Sequence, residues 1–362
     1  MDTANDRDQV EDKPAGRRRG CLGCLGRGAL GLLTLLVLGM VAGAIYQAAA
    51  SSADLRKYPP PGAIYPVGGV DMHLYCTGEG SPTVILEAGG GSPSLAWAWV
   101  QENVAGFARV CSYDRPGYGW SSPAAGPLSS EQVAATLHEL LAAADVPGPY
   151  VLVGHSDGRV YVRSFFAQYP AEVVGMVLVD SSHESQNLRF PPEYLASLRQ
   201  QQWMMKACQA LAPFGVVRLA RLWTLLLPQS ILSTDEGAAV LSTMYRPSYC
   251  RAYANELAAA SEFLSQPQGP PALGDLPLVV ISAGLSLEEM LDQTPSAAVA
   301  AMGRETFAEI VRVSQDLQQD LVRLSTQGRQ IMAGESTHNV HWDQPDLVSE
   351  AIREMVEQLR GE

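Results

Sequence analysis

Residues 154–158 read Gly-His-Ser-Asp-Gly, a serine held between two glycines one position removed on either side. A hydroxyl becomes a useful nucleophile only beside a general base and a third group that orients that base. Two histidines, His338 and His341, fall close together near the end of the chain, in "GESTHNVHWDQPD". Carboxylates that could orient a histidine stand after two apolar runs: Asp180 ends "GMVLVD", and Glu288 follows "LPLVVISAG". These residue types suit acyl transfer through a serine, with a histidine passing the proton and an acid fixing its tautomer. The plainer readings are a tight turn at Ser156, surface histidines, and a carboxylate that merely caps a strand.

Context separates the two readings. "YVLVG" (150–154) is an apolar run, as in a strand buried on both faces. After Ser156, Tyr161, Val162, Phe165, Phe166 and Tyr169 recur at helical spacing up to Pro170. A strand, G-x-S-x-G and a helix form a nucleophile elbow. Side chains at 154 and 158 would clash in so sharp a turn, so glycine stands at both. The turn lifts the hydroxyl to a helix N-terminus, where negative charge is favoured, and aims the backbone N–H of Asp157 at the reacting centre.

Other runs supply the scaffold. "AIYPV" and "VDMHLYC" flank Gly68-Gly69 as a hairpin, and "TVILEA", "FARVCSYD", "GMVLV", "LPLVVISAG" and "GRQIMAG" read as further strands. Ser129 and Gln132 open a helix as a capping box, and Pro345 opens the last helix with Asp343 as its N-cap. Strands alternating with helices imply a mostly parallel sheet covered on both faces. The rhythm breaks over 184–272, a helical stretch rich in Leu, Met and Ala that reads as an inserted cap. His155 is expected to pack beneath the elbow, and His73 on its hairpin carries no functional signal.

The chain is 47% hydrophobic and 17% charged, a composition able to bury a large core, with a net charge of −13. Residues before Gly28 hold six basic and five acidic side chains, so the body carries the negative charge, which excludes nucleic acid as a partner. Residues 28–53 contain no charge, and 28–50 is long enough to cross a bilayer. Arg17, Arg18, Arg19 and Arg27 precede this segment, which puts residues 1–27 in the cytoplasm and the body outside. A cleaved export signal ending near "AAASSA" is the alternative, and either way the body is exported. Residues 51–61, Pro-rich at their end, read as a linker. Cys76, Cys111, Cys208 and Cys250 then lie in an oxidising compartment, where three pairings are open. Cys21 and Cys24 stand on the cytoplasmic side as free or acylated thiols. No H-E-x-x-H, zinc spacing or G-x-G-x-x-G after a strand is found, so neither metal nor cofactor is expected.

Together "LEAGGG", "YDRPGYGWSS", "VGHSDGR", "GMVLVDSSHE" and "GESTHNVHWDQPD" resemble, in order, the α/β-hydrolase family, in its capped esterase and lipase-like branch. The resemblance covers about residues 62–360. It implies an eight-stranded, mostly parallel sheet with a core of 62–183 and 273–362. It implies His338 as the base, Asp180 as the acid with Glu288 second, and Gly90 with Asp157 as oxyanion donors. It implies that Asp114 and Arg115 brace the neighbouring loop. A sheet order beginning 1-2-4-3-5 implies Cys76–Cys111, leaving Cys208–Cys250 within the cap. Where relatives that cleave carbon–halogen bonds or epoxides carry an aspartate nucleophile, serine implies ester hydrolysis, so the expected partner is a small to medium lipophilic ester. Amide or peptide cleavage is the variant of this reading. Arg159 replaces the glycine usual after the elbow; it is expected to swing into solvent or pair with Asp157. Arg159, and the missing acid after "LPLVVISAG", also leave open a non-catalytic envelope protein that only binds.

Overall fold

The computed structural model describes residues 20–225, 227, 229–264, 272–293 and 302–362. The segment expected in the cytoplasm lies outside them up to residue 19, and so does the end of the inserted stretch at 265–271. The chain enters as one long helix, α1 (Gly20–Lys57), followed by the hairpin β1 (Ala63–Val67) and β2 (Val70–Thr77). Then come β3 (Thr83–Glu87), α2 (Ala98–Val104), β4 (Val110–Tyr113), α3 (Ser130–Ala143), β5 (Tyr150–His155), α4 (Gly158–Gln168) and β6 (Val173–Val179). The rhythm is interrupted by α5 (Gln186–Arg189), α6 (Pro192–Leu211), α7 (Val216–Leu219), α8 (Gln229–Leu232), α9 (Asp235–Met244) and α10 (Pro247–Phe263). It resumes with β7 (Leu278–Ala283), α11 (Leu287–Gln293), α12 (Arg304–Val322), β8 (Gly328–Ala333), α13 (Val340–Asp343) and α14 (Pro345–Arg360).

The eight strands form one sheet in the order β1-β2-β4-β3-β5-β6-β7-β8, antiparallel through β1, β2 and β4 and parallel from there on. Every residue of β3 and β5 is buried, because helices cover both faces. Leu137, Leu140, Val162 and Phe165 fill one side, and Trp97, Val104, Ile352 and Met355 the other. Cys76 and Cys111 face each other across β2 and β4 and are joined, with Cα atoms 4.0 Å apart. Cys208 on α6 and Cys250 on α10 are joined within the inserted helices. The α3 start carries its capping box, with Gln132 N–H donating to the Ser129 hydroxyl and Ser129 N–H to the Gln132 side chain.

Two expectations change. The linker at 51–61 is helical as far as Lys57. No glycine or proline occurs between Gly43 and Pro59, so nothing in the sequence stops the helix. The inserted helices also hold it: Gln47 Nε2 donates to Tyr245 O (2.8 Å), and Arg218 pairs with Asp54 (2.7 Å). At the other end of the chain, Gln344 is the N-cap of α14. Asp343 instead accepts the Thr337 backbone N–H (2.9 Å) and hydroxyl (2.7 Å), one residue from His338.

Candidate active site

The turn from β5 into α4 leaves Ser156 at φ +51°, in the left-handed region. Its N–H donates to Val179 O on the neighbouring strand, and its carbonyl accepts from Ser182 N (both 3.1 Å). The elbow admits only glycine on either side. A β-carbon at Gly158 would stand 2.7 Å from Glu87 O, and one at Gly154 3.0 Å from Arg159 N.

Three sequence-selected side chains meet here. Ser156 Oγ and His338 Nε2 are 2.9 Å apart, and His338 Nδ1 and Asp180 Oδ2 are 2.7 Å apart. Asp180 stands directly after β6 at φ +36°, and its other oxygen accepts Ala283 N–H (3.0 Å) from the end of β7. Both oxygens are therefore aimed. Burial alone would lower the His338 pKa, but the hydrogen bond and charge of Asp180 outweigh it and hold the imidazole above its ordinary value. More than half of the His338 side chain is exposed toward the cavity (54%). Glu288, the second candidate acid, is exposed on α11, and the His338 nitrogen it would need is taken by Asp180. His341 is buried against Trp97 and His155, at centroid distances of 4.9 and 4.2 Å, and burial pushes its pKa down to about 3. His155 donates Nε2–H to the His338 carbonyl (3.0 Å), so a neutral histidine under the elbow steadies the loop carrying His338.

The loop after β3 crosses the site from the other side. Gly90 lines the cavity with Ser156 and Asp157, and a β-carbon there would stand 2.8 Å from the Asp157 carboxylate. Arg115 secures this loop by donating to Ala88 O and Gly89 O (both 2.7 Å), and it pairs with buried Glu87 and with Glu256 (3.0 Å). Glu256 comes from α10 in the inserted region. It accepts the Gly91 N–H (3.0 Å) and the hydroxyls of Tyr118 and Tyr161. Two carboxylates thus share one guanidinium. Burial pushes the Glu87 pKa up to about 7 in spite of Arg115. No motif in the sequence marks Glu256, and Glu87 stands inside "LEAGGG" without a partner near it in the chain.

Arg159 neither reaches solvent nor pairs with Asp157. It is buried, with its guanidinium 2.7 Å from Glu184, a carboxylate that also meets Arg163 (3.3 Å). Burial lowers the Arg159 pKa to about 10, and the two cations hold Glu184 below the usual carboxylate range although burial opposes this. Asp157 instead accepts from the Ser182 hydroxyl, and burial raises its pKa. His73, read as silent, is fully buried. It bonds Asp114 through Nδ1 (2.8 Å) and Pro61 O through Nε2. Asp114 also accepts from Ser94 N (2.7 Å) and Trp120 N (3.0 Å), which ties the hairpin to the loops that follow β3 and β4.

Ser156, Asp180 and His338 open into a cavity of about 920 Å³ between the C-terminal ends of the strands, α12 and the inserted helices. Its walls mix Phe190, Leu195 and Leu198 with the amides of Gln201, Gln202 and Gln318. Residues 84–351 match the alpha/beta hydrolase family. A protein of Gibberella zeae named AB hydrolase superfamily protein is 26% identical over 299 residues, 77% of this chain and 87% of its own. Probable transporter efuK of Hormonema carpetanum is 27% identical over 299 residues, covering 78% of this chain. The chain spans only 40% of that relative's length. Among solved structures, an esterase from Thermogutta terrifontis superposes with a TM-score of 0.55 at 18% identity, over 82% of this chain and 98% of its own, a likeness of fold. A match across so much of the sequence, on a sheet of this order, makes the chain a member of the alpha/beta hydrolase family, a family of hydrolases.

Proposed function

We propose that the protein is a serine hydrolase anchored by α1, with its catalytic body outside the cytoplasm, and that it cleaves a small to medium lipophilic ester. The observation that carries this reading is the hydrogen-bonded chain from Ser156 through His338 to Asp180, opening into a cavity. Ser156 Oγ attacks the ester carbonyl while His338 Nε2 takes its proton. The tetrahedral oxyanion is met by the backbone N–H groups of Gly90 and Asp157. His338 returns the proton to the departing alcohol, leaving an acyl-Ser156. Water, deprotonated by the same nitrogen, then releases the acid. Asp180 holds the imidazole in the tautomer with hydrogen on Nδ1 and stabilises the imidazolium. Apolar and amide side chains together in the cavity favour an ester that carries hydrogen-bonding groups beside its apolar part. The resemblance to a thermophilic esterase is in keeping with this chemistry.

The membrane reading rests on an apolar helix without a charge over residues 28–53 and on the basic residues before it. The test is a fluorophosphonate probe applied to the full-length protein. It should label one site, abolished in Ser156→Ala, and the same change should remove turnover of p-nitrophenyl esters. Labelling that survives Ser156→Ala, or a folded wild type that takes no label, would overturn the assignment in favour of a body that only binds.

A further inference from the structure

The inserted helices begin to touch α1 inside its uncharged stretch, which runs on to Ala53. From Gly26 to Val41 the helix is bare on every side, and from Gly43 onward it is docked. Gly43 packs so closely that a β-carbon there would stand 2.3 Å from Phe214 O, and one at Gly215 would stand 2.8 Å from the Tyr46 ring. Arg218 Nε donates to the Gln47 side chain (3.4 Å) and its Nη1 meets Asp54. A hydrocarbon layer of about 30 Å takes about 20 helical residues. Counting from the first residue after Arg27, such a span ends close to Gln47. The turn at Phe214 and Gly215 therefore meets α1 at the depth where hydrocarbon gives way to headgroups.

Around that turn the inserted helices present apolar side chains outward. Leu219 is 65% exposed, Leu225 77% and Trp203 73%, and Met204, Leu211 and Val216 are exposed beside them. Val216 and Leu219 share one face of α7, while Val217 points inward. Met204 and Leu211 stand seven residues apart on one side of α6. Exposed apolar groups gathered in this way mark an interaction surface. Charge identifies its occupant. Residues 194–234 contain no aspartate or glutamate in a protein of net charge −13, and Lys206 and Arg221 are exposed there, whereas Arg218 is matched by Asp54 and Arg199 lines the cavity. Lys206 lies over the Trp203 ring at 5.5 Å, a tryptophan–cation pair suited to a headgroup layer.

We propose that the inserted helices form a second membrane contact. The face made by the end of α6, by α7 and by Leu225 is seated in the interfacial layer of a bilayer containing anionic lipid, beside the point where α1 leaves it. The inference rests on α1 being an anchor, and it holds for either orientation of that anchor. Its functional content is that one helix separates bilayer from cavity. The outer side of α6 carries Met204 and Leu211, while its inner side contributes Leu195, Leu198 and Gln202 to the cavity wall.

The test uses the full chain with Cys21→Ser and Cys24→Ser and one labelling cysteine at a time. Leu219→Cys, Leu225→Cys, Leu36→Cys and Arg323→Cys each carry an environment-sensitive NBD fluorophore. The proteins are reconstituted in phosphatidylcholine–phosphatidylglycerol vesicles with and without nitroxide-bearing lipid. The proposal expects blue-shifted emission at Leu219 and Leu225, with at least half of it quenched by shallow nitroxides. The probe at Leu36 should be quenched by deep ones, and the probe at Arg323, exposed on the far edge of the sheet, should stay water-like. Quenching at Leu36 with water-like emission at both cap positions overturns the proposal and leaves the anchor standing. Blue-shifted cap probes that no nitroxide quenches also overturn it, in favour of a second copy of the chain. An unquenched Leu36 overturns the anchor, and the proposal with it.

Discussion

Ser156 and Asp180 are both held at positive φ, the first by the turn into α4 and the second by the end of β6. Backbone of this kind persists only where surrounding bonds over-determine it. Here Val179, Ser182 and Ala283 supply those bonds. The arrangement makes Asp180 hard to replace. Asp180→Asn keeps the shape and reverses the tautomer preference of His338, and it is expected to lower kcat by about three to four orders of magnitude with folding intact. Steady-state kinetics together with a thermal melt check this, and loss of activity in Glu288→Gln instead would reassign the acid. The pH profile carries a second signature. In the proposed mechanism His338 works as a base only when neutral, and Asp180 raises its pKa. Activity should therefore rise with pH through a midpoint above the ordinary imidazole value of about 6.5. In Asp180→Asn the residual activity should titrate at lower pH. The types and spacing of these three residues were legible in the sequence because a strand end, an elbow and a late loop each announce themselves. The partner of Arg159 was not legible. Glu184 lies 25 positions away, and only the return of the chain after β6 brings the two together.

Elements were legible wherever burial imposes a period. The apolar runs of β3, β5 and β6 and the cap box of α3 could be read directly, whereas the end of α1 depended on docking that no local pattern encodes. Two charge clusters join elements, and each makes a prediction. Glu184, after β6, serves both Arg159 and Arg163 of α4. Glu184→Gln removes the carboxylate that buried Arg159 meets at 2.7 Å and weakens the charge facing Arg163, and should cost about 3–5 kcal/mol. Arg159→Ala should cost less, because Glu184 keeps Arg163; chemical denaturation of the two variants ranks them. Glu256 joins α10 to the loop after β3. A glutamine there cannot accept from Gly91, Tyr118 and Tyr161 while facing Arg115. Glu256→Gln should therefore lower kcat by about tenfold, roughly 1.4 kcal/mol of barrier, with KM little changed. A change confined to KM would mean that the contact shapes binding rather than the oxyanion side.

At the scale of the whole molecule, the disulfides divide the labour between sheet and cap. Cys76–Cys111 staples two neighbouring strands, and Cys208–Cys250 clamps α6 to α10 over a separation of 42 residues. Replacing both Cys208 and Cys250 by serine should lower stability by about 2–4 kcal/mol. A lower melting midpoint, unaltered by reductant in a background that also lacks Cys76 and Cys111, would show it. The pairing followed from sheet order, which a resemblance supplies and a cysteine count does not. Glu256 has a consequence for ancestry as well. Helices inserted between two strands look like a detachable module that recombination could trade between relatives to change the substrate. Here the insert supplies the acceptor for Gly91 and half of the counter-charge for Arg115, both at the loop after β3. A graft that lacked this carboxylate would leave Arg115 unbalanced beside the loop after β3. New specificities in this lineage should therefore arise by point changes on the inner face of α6, with α10 inherited together with the loop after β3 that it completes.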